Sequence, residues 1–175
     1  ETRHLYGTYS SGMNLYNLPS SMITALTISV IPTVSASLAR NDRVHTSRVI
    51  NSSLRVTGLM AFPMGLGLWA LAEPIMKLCY PRYDSELGGS LLAVLGIASM
   101  FVCLMLISNS ILQSYGRVHV PVFTMLIGGV VKIIFNYNLT AVPSINIHAA
   151  PFGTLVCFVI VSSLNLFFVY RTMED

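Results

Sequence analysis

Residues 5–39, 56–72, 87–116, 118–131 and 133–170 of this chain contain no Asp, Glu, Lys or Arg. Each stretch approaches or exceeds one bilayer crossing, except where Lys132 interrupts the run. In hydrocarbon every backbone N–H and C=O must find its partner within its own segment or a closed barrel, so apolar runs of this length form helices. The expected fold class is therefore all-α, a polytopic membrane helix bundle. Composition agrees, with 54% hydrophobic and 10% charged residues and a mean hydropathy of +0.69, outside the range of ordinary soluble domains.

Five spans are expected, at 14–38, 54–79, 90–115, 119–142 and 149–170. Each is followed by a turn signal: "ARNDR", "YPRYD", "YGR" before Pro121, "VPSIN" and "RTMED". The chain starts at Glu1 and shows no signal-peptide progression, so it reads as the middle or end of a longer protein. Lys and Arg in short loops favour the cytoplasmic side. Arg40, Arg43, Arg48, Arg117 and Arg171 all fall on one side of a five-span chain, whereas Arg3, Lys77 and Arg82 on the other are diluted by Glu73, Asp84 and Glu86. The start is thus expected outside, with the turn at 144–148, and the C-terminus in the cytoplasm.

The net charge of +3 calls for no nucleic acid, because no basic run is interleaved with aromatics on a soluble surface. Group-transfer catalysis by a polytopic membrane protein generally calls for acidic residues or metal ligands at the membrane face. All seven carboxylates (Glu1, Asp42, Glu73, Asp84, Glu86, Glu174 and Asp175) lie in loops or at ends, unpaired. The expectation is a non-enzyme without cofactor or metal. Cys79, Cys103 and Cys157 are far apart and read as buried, inert thiols. His119 and His148 read as solvated loop residues, and Arg55 as an interfacial anchor.

The first span is unusually polar. At 100° per residue, Asn17, Ser20, Ser21, Thr24 and Thr27 share about a third of its circumference, and Ser35 returns to that face. Such a face serves interhelical hydrogen bonds or walls a hydrated cavity. Pro19 and Pro32 favour bends in the same span, and Pro63 with Gly58, Gly65 and Gly67 gives the second span the means to bend or pack closely. In the fourth, Thr124, Gly128, Lys132, Asn136 and Thr140 align. An ionisable group near a bilayer centre turns toward protein or water, so Lys132 is expected to point inward.

The succession "YGTYSSGMNLYNLPSSMITALTISVIPTVSASLARND", "SLRVTGLMAFPMGLGLWALAEPIMKLCYP", "ISNSILQSYGRVHVPV", "VVKIIFNYNL" and "INIHAAPFGT" resembles the C-terminal half of the oligosaccharide and lipid-linked polysaccharide flippases. The chain is most similar to their stage V sporulation protein B branch, related to MviN-type lipid II flippases and more distantly to multidrug and toxin extruders. The resemblance implies five helices of one lobe in a two-lobe flippase with a central V-shaped cavity, its N-terminal lobe absent here. It implies an undecaprenyl-linked glycan as substrate, the bilayer as surroundings, and alternating access. The other readings are a cation-coupled small-molecule exporter and, further off, a polyprenyl-phosphate glycan-transferring enzyme.

On that template Asn14, Asn17, Ser21 and Thr24 belong to the substrate cavity, with Asn14 standing where the lipid II branch has an arginine. Ala149 stands where the family usually has a turn glycine. The cation site of sodium-coupled relatives maps onto Lys132, Asn136 and Thr154, so a built-in ammonium is expected where sodium would sit, making the trio a candidate coupling centre.

Overall fold

The computed structural model describes residues 2–81, 85–140 and 149–174. Apart from short turns, the described residues form six helices: α1 (Thr2–Ala39), α2 (Arg43–Ala70), α3 (Ala72–Cys79), α4 (Ser85–Ser114), α5 (His119–Thr140) and α6 (Ala149–Glu174). Four helices are long and apolar enough to cross a membrane, and up to five if α2 and α3 count as one broken span. The turn at 144–148 lies outside the described residues.

The stretch expected as a single span at 54–79 is divided, because α3 turns away from α2 by 74°. Neither Pro63 nor the glycines of α2 cause the break. Pro74 does: it has no N–H to offer the carbonyl of Ala70, so the ladder cannot run on. Leu71 closes α2 by bonding its N–H to Gly67 O at 2.9 Å. Lys77 and Glu73 then pair across one turn of α3, both more than half exposed, a contact that adds little in water. Cys79 ends this helix and is exposed, contrary to its expected burial, since the bend carries the end of α3 out of the bundle. Cys103 and Cys157 are buried.

At the other end Asp42 caps α2, its Oδ1 accepting from His45 N at 2.9 Å, while Asn41 takes the left-handed conformation (φ 55°) that lets α1 stop and the chain reverse. Leu38, Arg43, Tyr115, Thr172 and Met173 line one small pocket there, so the ends of α1, α4 and α6 meet the start of α2. All five arginines assigned to the cytoplasmic side lie in the segments that converge here.

Helix α4 is the hub. It packs against α1, α2, α3 and α6, whereas α5 leans on α6 and scarcely touches α4. One core cluster joins Tyr16 of α1, Leu95, Ala98, Val102 and Met105 of α4, and Cys157 and Val161 of α6. A second, nearer the arginine end, joins Val30 and Val34 to Ile50, Ile107, Ile111, Leu112 and Val169. Lipid is as apolar as these side chains, so close van der Waals fit and interhelical hydrogen bonds, rather than release from water, hold such helices together. The α2–α4 crossing shows this most clearly: a Cβ on Gly65 would lie 2.8 Å from Gly96 O, and one on Gly96 would lie 2.9 Å from Trp69 N.

Candidate functional site

Two polar regions stand out in the apolar bundle. The first is the open face of α1, where Asn14, Asn17, Ser21, Thr24 and Ser35 are exposed. The face is narrower than the sequence suggests, because Ser20 is half-buried and Thr27 is buried against the bundle. Ser35 Oγ donates to Ser114 O of α4 at 3.5 Å and Ser20 Oγ is buried with no hydrogen-bond partner among the described residues, whereas two hydroxyls are satisfied by their own helix: Ser21 Oγ donates to Leu18 O at 2.8 Å, and Thr24 Oγ1 to Ser20 O at 2.8 Å. Such bonding back to the preceding turn leaves these residues at home in an apolar medium. The amides of Asn14 and Asn17 have no such recourse, since no described residue bonds to either side chain, and they require an external partner.

The second region is the seam between α5 and α6, which run antiparallel with matched four-residue steps. Asn136 faces Gly153, Gly128 faces Val161 and Cys157, and Thr124 faces Asn165. Lys132 sits between them, near enough to Cys157 to interact electrostatically with its thiol. The aligned polar stripe read from the sequence of α5 is therefore the side that packs on α6. Gly153 allows the Asn136 amide to seat directly on the α6 backbone, where any side chain would overlap Oδ1. That oxygen is buried without a hydrogen-bond partner among the described residues. Thr154, next to Gly153, is also buried.

The structure thus places Lys132 and Asn136 at this seam, with Thr154 buried on α6 beside the Gly153 that meets Asn136. Asn14, Asn17, Ser21 and Thr24 lie apart from them, because α1 packs mainly on α4 and α2 while α5 packs on α6. No described residue forms a hydrogen bond or ion pair with the half-buried ammonium of Lys132. Among the described residues no three His, Cys, Asp or Glu side chains converge to hold a metal ion.

A further polar element escaped sequence reading. Thr124 Oγ1 donates to Asn165 Oδ1 at 2.7 Å, and Asn165 Nδ2 donates to Asn109 Oδ1 at 2.6 Å. This chain ties α5 to α4 through α6, with Asn165 fully buried. The available signal was a lone amide in the apolar run "VSSLNLFF", but three residues on three helices become a network only when the helices are packed.

The MatE family profile matches residues 7–138. The chain is 25% identical over 167 residues to the uncharacterized membrane protein YabM of Bacillus subtilis (strain 168), covering 95% of this chain and 30% of that protein. It is 24% identical over 127 residues to the lipid II flippase MurJ of the same organism, covering 71% of this chain and 23% of that protein. With the succinoglycan biosynthesis transport protein ExoT of Rhizobium meliloti (strain 1021) it shares 32% identity over 75 residues, 42% of this chain and 15% of that one. No solved structure matches the chain. The chain thus spans less than a third of the length of each of these relatives.

Proposed function

The chain belongs to the MatE family, and on that premise we propose that it forms most of the C-terminal lobe of a flippase moving an undecaprenyl-linked oligosaccharide or peptidoglycan precursor by alternating access. It is a multi-pass protein of the bacterial cytoplasmic membrane. The observation that carries the reading is the exposed polar face of α1, with Asn14, Asn17, Ser21 and Thr24 on a helix long enough to span the bilayer. Amides on such a face seek water or a polar ligand, and a glycan passing through the membrane needs hydrogen-bonding walls. The N-terminal lobe of the same polypeptide supplies the opposite wall. Relatives named as a lipid II flippase and a succinoglycan transport protein favour a lipid-linked glycan over the small molecule of a cation-coupled exporter.

The test is translocation of defined undecaprenyl-linked substrates by the whole protein in proteoliposomes. The double variant Asn17→Leu/Thr24→Leu is expected to lose at least about tenfold in rate, the equivalent of one good polar contact, with thermal stability unchanged. Parent-like translocation by this variant would remove the α1 face from the substrate path.

Orientation follows from the arginine-rich end, which positive charge holds in the cytoplasm. Native Cys79, exposed at the opposite end, is expected to react with a membrane-impermeant maleimide on intact spheroplasts. Asn41→Cys, made in a Cys79→Ser background, is expected to react only after lysis. The reverse pattern inverts the topology.

A further inference from the structure

Helix α2 has 28 residues and is therefore about 42 Å long, longer than the roughly 30 Å of hydrocarbon it crosses. Its arginine-rich beginning is drawn out to the membrane surface. Arg48, Asn51, Ser52 and Arg55 follow one another at helical steps of three and four, so they share one face. Asn51, Ser52 and Arg55 are exposed, and Arg48 is half-buried. One and two turns further on, the same side of the helix carries Leu59 and Phe62, both exposed. A cationic patch thus gives way to an apolar one going into the bilayer.

Beside this face a groove of about 190 Å³ lies between α1 and α2, with Ile107 of α4 also in its lining. Ser29 of α1 and Ser52, Ser53 and Thr57 of α2 bring hydroxyls to it, and the rest of the lining is apolar. Ser29 Oγ donates to Leu26 O at 2.9 Å and Ser53 Oγ to Val49 O at 2.8 Å, each within its own helix. Thr57 Oγ1 does not follow them: it is buried and has no hydrogen-bond partner among the described residues. A buried hydroxyl left so costs free energy unless another molecule answers it. The arginines are in the same position, since no described residue forms an ion pair or hydrogen bond with Arg48 or Arg55. Two cations and a hydroxyl on neighbouring turns of one helix therefore call for a partner that is anionic at one end and accepts a hydrogen bond further in.

From these observations we infer that the Arg48 face of α2 and the adjoining α1–α2 groove seat one anionic glycerophospholipid of the leaflet at the arginine-rich end. Its phosphate sits between the guanidinium groups of Arg48 and Arg55, the second of which reaches back toward the surface along its own helix. From Arg48 to Thr57 the helix rises about 14 Å. The glycerol and ester region of the lipid therefore falls level with the groove, where Thr57 Oγ1 donates to an ester oxygen, and an acyl chain runs on past Leu59 and Phe62. A zwitterionic headgroup would bring its own ammonium beside the two arginines, and a free phosphate would leave the groove and Thr57 unanswered. The site uses none of the α1 residues proposed to line the substrate path.

The test uses the whole protein, purified in detergent, stripped of lipid and titrated separately with phosphatidylglycerol and phosphatidylcholine, with bound lipid counted by native mass spectrometry. Phosphatidylglycerol is expected to bind at least about tenfold more tightly, and Arg48→Gln/Arg55→Gln to lose that preference. Equal affinity for the two lipids, or an unchanged preference in the variant, overturns the inference. A second measurement needs no variant. Phosphatidylglycerol carrying a diazirine in its acyl chain is irradiated with the whole protein in proteoliposomes, and the adducts are mapped. The expected adduct lies within residues 56–62 and is suppressed by excess unlabelled phosphatidylglycerol. Labelling confined to other segments overturns the proposal. Suppression by inorganic phosphate, or by an undecaprenyl-linked pyrophosphate as effectively as by phosphatidylglycerol, also overturns it, since the face then belongs to a free anion or to the transported substrate.

Discussion

Gly65→Ala is expected to destabilise the protein by about 1–3 kcal/mol, whereas Gly67→Ala, two residues along the same helix, is expected to leave stability unchanged or raise it by up to about 1 kcal/mol. The added carbon at position 65 would lie 2.5 Å from Met100 Cγ and 2.8 Å from the carbonyl oxygen of Gly96. Methionine can bend away; the backbone carbonyl of α4 cannot. The two helices must separate, and α4 carries the packing of most of the bundle. The same carbon at position 67 meets nothing within 4 Å, so only the lower conformational entropy of alanine in the unfolded chain is felt. Thermal unfolding of the two variants in one detergent decides the matter. Equal midpoints would show that the α2–α4 crossing is looser than described.

Lys132→Met is expected to reduce translocation by about a hundredfold while leaving expression and thermal stability near the parent values. A charge near the middle of a membrane helix costs about 2.5–3.5 kcal/mol on insertion, and an interaction returning that much corresponds to roughly a hundredfold in rate. The ammonium is half-buried at the α5–α6 seam beside Cys157. No described residue pairs with it, so the group that answers its charge belongs to substrate, water or the rest of the polypeptide. Lys132→Arg keeps the charge and is expected to retain most of the rate. If Lys132→Met instead stabilises the protein and translocates at the parent rate, the lysine is a packing element of the seam. Sodium-dependent transport by the parent would separately sink the built-in cation.

The uncharged runs by themselves dictated an all-helical membrane bundle, because hydrocarbon leaves an apolar backbone no other way to pair its polar groups. They also gave the approximate helix positions, since charge and turn residues cannot be drawn into the bilayer cheaply. Periodicity aligned Thr124, Gly128, Lys132 and Asn136 on one face of α5. It could not say what that face meets, because a helical repeat fixes direction around its own axis and carries no information about neighbours. Tertiary structure turned that stripe onto α6, where glycines at 128 and 153 let the two helices close on one another. The division at Leu71 was local, written in Pro74, but was masked by continuous apolarity across 54–79. On α1, burial of Thr27 and exposure of Ser21 and Thr24 depended on where α4 lay. The chain of Asn109, Asn165 and Thr124 was invisible for a related reason: each residue is an ordinary amide or hydroxyl in its own helix, and only packing, which depends on side-chain fit across residues 41 and 56 apart in sequence, brings them within hydrogen-bonding reach.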